Sequence, residues 1–307
     1  MNDIPVLHVR GTTLADGYEK AIYETFKQGC EMATQYDKPG DPLSKDCTLN
    51  LVVEDPEADP MIHKAFPGGI SDLREYTMEI HGAKDEWVKN INDPEDTRWE
   101  YTYHGRFARY GGWKENQSVQ TNPDYFIAKS VWIGRKINQI DYVVEKLSKQ
   151  PYTRQAQMIT WMPSLDLDCY DPPCLQSVWL RAMNTLDDKN WVLNTNIRFR
   201  SNDAWGASYM NMFGLMRLIR TIADRLEEKN NCKVKLGRLN WQADSYHIYG
   251  KDLKECKARL IDKIDAGQPF ENRVYNFRDV EIQEMYNECV PMILEKIKET
   301  ENGFNKI

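Results

Sequence analysis

The sequence predicts one continuous domain of α/β or α+β class. Three observations predict it: helical patterns at 15–34, 71–90 and 137–149, three strand patterns in succession between 155 and 200, and no repeat, low-complexity tract or Gly/Ser linker dividing them. At 307 residues the chain can bury a sizeable core as one unit.

The first helix, 15–34, leads into turn-rich loops near 36–46 and 54–70, and a second helix is expected at 71–90. After a further loop near 110–124, INQIDYVVEKLSK at 137–149 places Ile137, Ile140, Val144 and Leu147 on one helical face. The period then changes to two. QAQMITW (155–161), LQSVWLRAM (175–183) and WVLNTNIRFR (191–200) read as strands, with Asp187 and Asp188 turning the chain before the third. In that third strand Leu193, Thr195, Ile197 and Phe199 alternate with Asn194, Asn196, Arg198 and Arg200, so one face is apolar and the other polar. The polar face suits water, a second subunit or a ligand cleft. The next stretch, 200–226, reads as a helix capped by Ser201 or Asn202, with Tyr209, Met212, Phe213, Met216, Ile219 and Leu226 as its core stripe. An Arg200–Ser201 pair ahead of a helical first turn suits a phosphate, because guanidinium, hydroxyl and free backbone N–H groups converge there.

Composition excludes several classes. Hydrophobic residues are 41% and charged residues 28%, and no unbroken apolar run is long enough to span a bilayer, so no membrane partner is expected. The start MNDIPVLHVRGTTLADGYEK lacks the features of a signal peptide, which gives a cytoplasmic expectation. Seven widely spaced cysteines without a CxxC pair point to neither a disulfide framework nor a metal site. A net charge of −7 offers no basic field for nucleic acid, although a few converging arginines can still hold a small anion.

The run DPPCLQSVWLRA, 171–182, sets Cys174 directly behind two prolines and ahead of a strand. Together PPC at 172–174, RSND at 200–203, Asn211 eight residues past Asp203 and YHIY at 246–249 occur in the order and approximate spacing of the thymidylate synthase family, which the chain resembles. TRQAQMITW (153–161), LREYTMEIHG (73–82) and EYTYHGRFARYGG (100–112) extend the resemblance, the last in a form closer to the archaeal branch. It covers about 70–253; residues 1–69 and 254–307 match poorly. The resemblance implies one thymidylate synthase-like domain over 1–307. Its fold would be α+β, a large, mostly antiparallel or mixed sheet flanked by helices, dimerising back to back through the sheet.

The resemblance also implies roles. Cys174 would attack C6 of a pyrimidine nucleoside monophosphate, making C5 a nucleophile toward the cosubstrate 5,10-methylenetetrahydrofolate. Nearby Arg200 would lower the thiol's pKa, and the prolines would hold the sulfur near C6. Glu75 would move protons at O4 of the base and N5 of the folate, a task suited to a carboxyl of raised pKa. Asn211 would read the base, its amide favouring dUMP over dCMP. His247 and Tyr249, two apart on a strand, would bind the ribose 3′-hydroxyl. Asp203 would meet the pterin. Arg200 and Ser201 would hold the phosphate, joined by Arg154 from the other subunit of a homodimer. His104, in the Tyr-Gly-Lys/Arg segment, joins the catalytic candidates.

Four departures qualify this carry-over. Gln155 replaces the second arginine of the usual pair, and the N-terminal Arg-Thr-Gly phosphate loop is unrecognisable, leaving Lys38 or Lys45 as substitutes. Asp171 stands where an apolar residue meets the folate, and the tryptophan pair of that region has no clear equivalent, Trp99 being one candidate. The tail NGFNKI differs from the small apolar closing tail. A polar folate wall at Asp171 would admit water, and within the family that separates hydroxymethylases from synthases. Three readings follow: a synthase making dTMP from dUMP, a pyrimidine nucleotide hydroxymethylase, and an inactive nucleotide-binding member.

Overall fold

The computed structural model describes residues 3–89, 95–111, 136–167, 169–184 and 189–304. Its first half runs β1 (Val6–Gly11), α1 (Leu14–Gln28), β2 (Cys30–Met32), β3 (Ser44–Val53), β4 (Ile62–His63), α2 (Ile70–Ile80), α3 (Tyr103–Ala108) and α4 (Gln139–Lys149). Then come β5 (Gln157–Ile159), α5 (Pro163–Asp166), β6 (Leu175–Asn184), β7 (Asn190–Phe199), β8 (Asn202–Asp203), α6 (Ser208–Asn230) and β9 (Lys233–Ile248). The chain closes with α7 (Leu253–Cys256), α8 (Asp262–Asp265), β10 (Val274–Tyr275), α9 (Val280–Glu288) and α10 (Val290–Phe304). The expected turn at Asp187 and Asp188, and the loop expected beyond 111, lie outside the described residues.

Eight strands form one sheet in the order β1-β3-β9-β7-β6-β5, with β2 added on β3 and β8 on β9. The sheet is mixed: β3–β9, β6–β7 and β5–β6 are antiparallel, whereas β1–β3 and β7–β9 are parallel. This is the α+β architecture that the resemblance implies. One face is apolar. Leu49, Leu51, Val178, Leu180, Ile197, Phe199, Leu239 and Trp241 are all fully buried there, each contributing about 1.5–3 kcal/mol relative to exposure. Across from them lie α1, with Leu14, Tyr18 and Ile22, and the long α6, with Met212, Phe213, Ile219 and Leu226.

On the other face the alternating polar residues of β7 meet polar neighbours. Arg238 donates to Asn196 at 2.6 Å and Arg198 pairs with Asp244 at 2.9 Å. A recess of about 260 Å³ opens there between Gln157, Ser177, Trp179, Asn196 and Gln242.

Two helices stop earlier than their patterns predict, each at a glycine. α1 ends at Gln28 because the chain passes β3 at Gly29, where a Cβ would lie 3.2 Å from the backbone of Asp46. α2 ends at Ile80 because Gly82 takes φ +98°, a left-handed backbone that an L side chain disfavours. The short β2 and a tight turn follow instead.

A buried ionic latch joins the two ends of the chain. Glu19 of α1 accepts from Arg273 at 2.7 and 2.6 Å and meets the His63 ring of β4 at 2.8 Å. Arg273 directly precedes β10, which pairs with β4. Among the described residues no helix is long and apolar enough to cross a membrane.

Candidate active site

The β6–β7 hairpin positions the central thiol. Leu175 faces Phe199 in the ladder, so Cys174, just before β6, lies opposite Arg200, just after β7; the Arg200 N–H donates to the Cys174 carbonyl at 2.9 Å. The Arg200 guanidinium then reaches back along the loop, donating to the Pro173 carbonyl at 3.2 Å and the Pro172 carbonyl at 2.5 Å. Proline fixes φ and brings no N–H, so these carbonyls are the loop's main handles. Both handles are held. On the far side the Tyr103 hydroxyl accepts from the Leu175 N–H at 3.3 Å.

Burial pushes the Cys174 thiol above its ordinary pKa; Arg200 pulls it down, while Asp171 and Asp203 push it further up. The expected lowering by Arg200 is therefore present but outweighed by burial. Asp171 is too exposed, at 62%, and too far from the guanidinium, at 3.9 Å, to neutralise Arg200.

β8 runs parallel to the end of β9 and sets Asp203 beside His247. The Asp203 carboxylate accepts from the N–H groups of Trp205 and Gly206 at 3.1 and 2.8 Å, yet burial keeps its pKa raised. The His247 ring is 6% exposed, with Nδ1 3.1 Å from Ser245 Oγ, which donates to Asp46 at 2.8 Å. Its Nε2 is buried without a partner among the described residues. Tyr249 lies just past the end of β9, and its ring meets that of His247 edge-on at 4.6 Å. The Tyr36 ring in turn meets Tyr249 at 6.2 Å and Tyr170 at 6.3 Å.

A third group sits between α2 and α6. Asn211, 7% exposed, accepts on its Oδ1 from the Tyr76 hydroxyl. Lys84 stands 2.8 Å from Glu75 and 3.0 Å from Glu79, and lies over the rings of Trp87 and Trp99 at 4.9 and 5.5 Å. Those two rings pack edge-on at 5.0 Å. Lys296 of α10 reaches Glu75 at 3.0 and 2.9 Å. Although burial acts to raise it, the two lysines hold the Glu75 carboxyl below its ordinary pKa, where a raised one was expected.

The thymidylate synthase family model matches residues 70–287, most of the chain. This chain belongs to the thymidylate synthase family. Among similar proteins, "Putative thymidylate synthase" of Methanosarcina barkeri is 27% identical over 248 residues, 80% of this chain and 90% of that protein. A protein of the same name from Methanocaldococcus jannaschii is 27% identical over 251 residues, 80% of this chain and 91% of the other. The archaeal likeness of the Tyr-Gly-Lys/Arg segment agrees with both.

For a thymidylate synthase family member, the fold brings most of the expected residues to one region. Asp171, Asp203 and Arg200 all act on Cys174 electrostatically, and Cys174 acts on Tyr249. Two expectations need correction. Ser201 and Asn202 do not cap α6, which starts at Ser208; the chain first makes β8 and a turn organised by Asp203. Arg200 and Ser201 therefore stand at a strand end rather than a helix N-terminus. His104 turns toward Asp85, at 2.7 Å, and its ring packs over Gly82. Arg154 is exposed before β5, its carbonyl accepting from Trp179 at 3.1 Å, and this chain does not fold it onto the Cys174 group. Of the two substitute lysines, Lys45 pairs with Glu31 at 3.1 Å, and the loop bearing Lys38 carries Tyr36 against Tyr249.

Sequence reasoning missed Tyr76, Tyr101, Lys84 and Lys296. Burial raises the Tyr101 hydroxyl's pKa, as do the charges of Cys174 and Asp171, so this ring borders the thiol. Tyr101 and Tyr103 flank one residue within the quoted EYTYHGR run, a spacing that could have singled them out. Trp99, one candidate for the tryptophan pair, packs its ring against that of Trp87.

Proposed function

We propose that the chain transfers a one-carbon unit from 5,10-methylenetetrahydrofolate to C5 of dUMP, giving dTMP, as a cytoplasmic homodimer. The observation that carries this reading is the fixed Cys174: its loop carbonyls are tied to Arg200, so the sulfur has little freedom, as attack on C6 requires. Thiolate addition at C6 moves the C5=C6 electron pair toward O4 and makes C5 nucleophilic. The cosubstrate supplies the one-carbon unit and, in a synthase, the hydride. Trp87, Trp99 and Lys84 fit it, offering ring faces and a cation beside Glu75. The unpartnered Nε2 of His247 fits a sugar hydroxyl, with Tyr249 beside it. Arg200 and Ser201 would take the phosphate, Arg154 arriving from the second subunit across the polar sheet face. Asp203 would meet the pterin.

Asn211 reads the base in this scheme. Its Oδ1 accepts from Tyr76 and has a second lone pair with which to accept from N3–H. Asn211→Asp should lower kcat/KM for dUMP by about 10²-fold and raise that for dCMP, since a buried mismatched polar pair is heavily penalised. An unchanged dUMP-to-dCMP ratio sinks this account of base reading.

Arg200→Lys should lower kcat/KM for dUMP by about 10²-fold, because an ammonium cannot hold two carbonyls and a phosphate in one plane. Steady-state kinetics on the purified variant check it; a loss below threefold would remove Arg200 from the scheme.

The deciding measurement is product mass after incubation with dUMP and methylenetetrahydrofolate, with dihydrofolate followed by absorbance. A product heavier by CH2 with dihydrofolate formed supports the synthase. The second reading, a hydroxymethylase, draws on the exposed carboxylate of Asp171 beside the thiol loop, and predicts a product heavier by CH2O without dihydrofolate. Thermal stabilisation by dUMP without any product would point to an inactive nucleotide-binding member.

A further inference from the structure

The family-matching stretch ends at residue 287, yet the helix that follows, α10, touches both Trp87 and Glu75 of the candidate site. Ile293 and Ile297, one turn apart, are 3% and 5% exposed and cluster with Trp87, and Met78 of α2, Ala83 and Phe304 pack against them. This apolar seam seats the helix. The Phe304 ring meets that of Trp87 edge-on at 6.2 Å, and the Arg98 guanidinium lies over Phe304 at 5.5 Å. Lys296, one residue before Ile297, reaches from the seated helix to α2. Its Nζ donates to both carboxylate oxygens of Glu75, at 3.0 and 2.9 Å, while Lys84 holds Oε1 at 2.8 Å. The terminal torsion of a glutamate is ordinarily broad; here it cannot turn without breaking a contact.

The contact adds little to the seating of α10. Lys296 is 60% exposed, and an exposed ion pair contributes only about 0–1 kcal/mol to stability. Its effect falls instead on Glu75, the residue expected to move protons at O4 of the base and N5 of the folate. Lys84 also binds Glu79, at 3.0 Å, whereas Lys296 has Glu75 as its one ion-pair partner among the described residues.

Resting on the function proposed above, we infer that Lys296 is a positioning residue for the one-carbon transfer, anchoring the Glu75 carboxylate beside Trp87 and Trp99, so that α10 is part of the active site although it lies beyond the family-matching stretch. Lys296 makes and breaks no covalent bond. The acidity agrees with this role: burial acts to raise the Glu75 carboxyl's pKa, and the two lysines bring it below its ordinary value.

Lys296→Met in the full chain, assayed with dUMP and methylenetetrahydrofolate, should lower kcat about tenfold, with KM for dUMP within about threefold and Tm within a few degrees. Lys296→Arg should keep kcat within about threefold of the unmodified protein, since it restores the charge. The deciding comparison repeats Lys296→Met in a Glu75→Gln chain, where it should change kcat less than about twofold, because the group that Lys296 anchors is gone. A loss below about threefold in Lys296→Met, a Lys296→Arg no faster than Lys296→Met, or an equal loss in both chains overturns the inference. Should Glu75→Gln be too slow to assay, Lys296→Glu decides instead. The charged groups facing Glu75 would then be Lys84, Glu79 and the new carboxylate, and a like charge raises the Glu75 pKa. A carboxylate needed in its ionised form is then lost as pH falls, so the ratio of variant to unmodified kcat should drop at least about twofold between pH 8 and pH 5; a flat ratio overturns the inference. If the unmodified protein forms no product from any pyrimidine nucleoside monophosphate, the proposed function has failed, an outcome distinct from an unimpaired Lys296→Met.

Discussion

Cys174→Ala should abolish product formation, with kcat reduced by about 10⁴-fold or more, while leaving the fold intact. The sulfur is the proposed nucleophile, and Arg200, Asp171 and Asp203 all act on it electrostatically. Its structural share is small. The loop is held through backbone carbonyls of residues 172–174, which alanine retains. Turnover assays beside a thermal melt separate the two effects: dead enzyme with a Tm within a few degrees is expected, and an active alanine variant would refute covalent catalysis.

Arg273→Ala should destabilise the protein by about 3–5 kcal/mol, because it leaves the Glu19 carboxylate buried and without its guanidinium. Urea denaturation measures this, and a loss under 1 kcal/mol would show that the site relaxes to admit water. The same latch gives a pH dependence of definite sign. Although burial acts to raise it, Arg273 and His63 hold Glu19 at about 2, from an ordinary value of 4.5, so its contribution is complete above pH 4.5 and lost as pH falls toward 2. Burial lowers the pKa of His63, so charging it also opposes folding as pH drops below 6.5. Stability should therefore decline on acidification from neutral pH. A Tm that rises between pH 7 and 4 would contradict the latch.

What the sequence revealed depended on whether partners were near one another along the chain. The strand β7 was legible because one buried face imposes a strict period of two over its length. Its neighbour β9 was harder: burial falls on Val234 and Leu236, then shifts to Leu239, Trp241 and Ala243, at the irregularity where the ladder with β7 changes register. The helix α1 was placed correctly but drawn too long, since no periodicity announces that Gly29 must brush past β3. Within the candidate site the PPC and RSND runs were readable as local strings. The Tyr76–Asn211 bond spans 135 residues and the Lys296–Glu75 pair 221, and neither leaves a spacing that one sequence can show.

The placement of β3 carries a consequence for how this protein can be divided. The stretch that marks the family begins at residue 70, but the sheet's central strand β9 leans on β3, which lies wholly before that point. A gene fragment cut to the recognisable stretch would strip β9 of one ladder, turn it into a long open edge, and orphan Arg273 by removing Glu19. Recognisability and autonomy therefore have different borders here. Recombination that moved the catalytic portion alone would transplant a piece unable to stand, so the portion before residue 70 must travel with it.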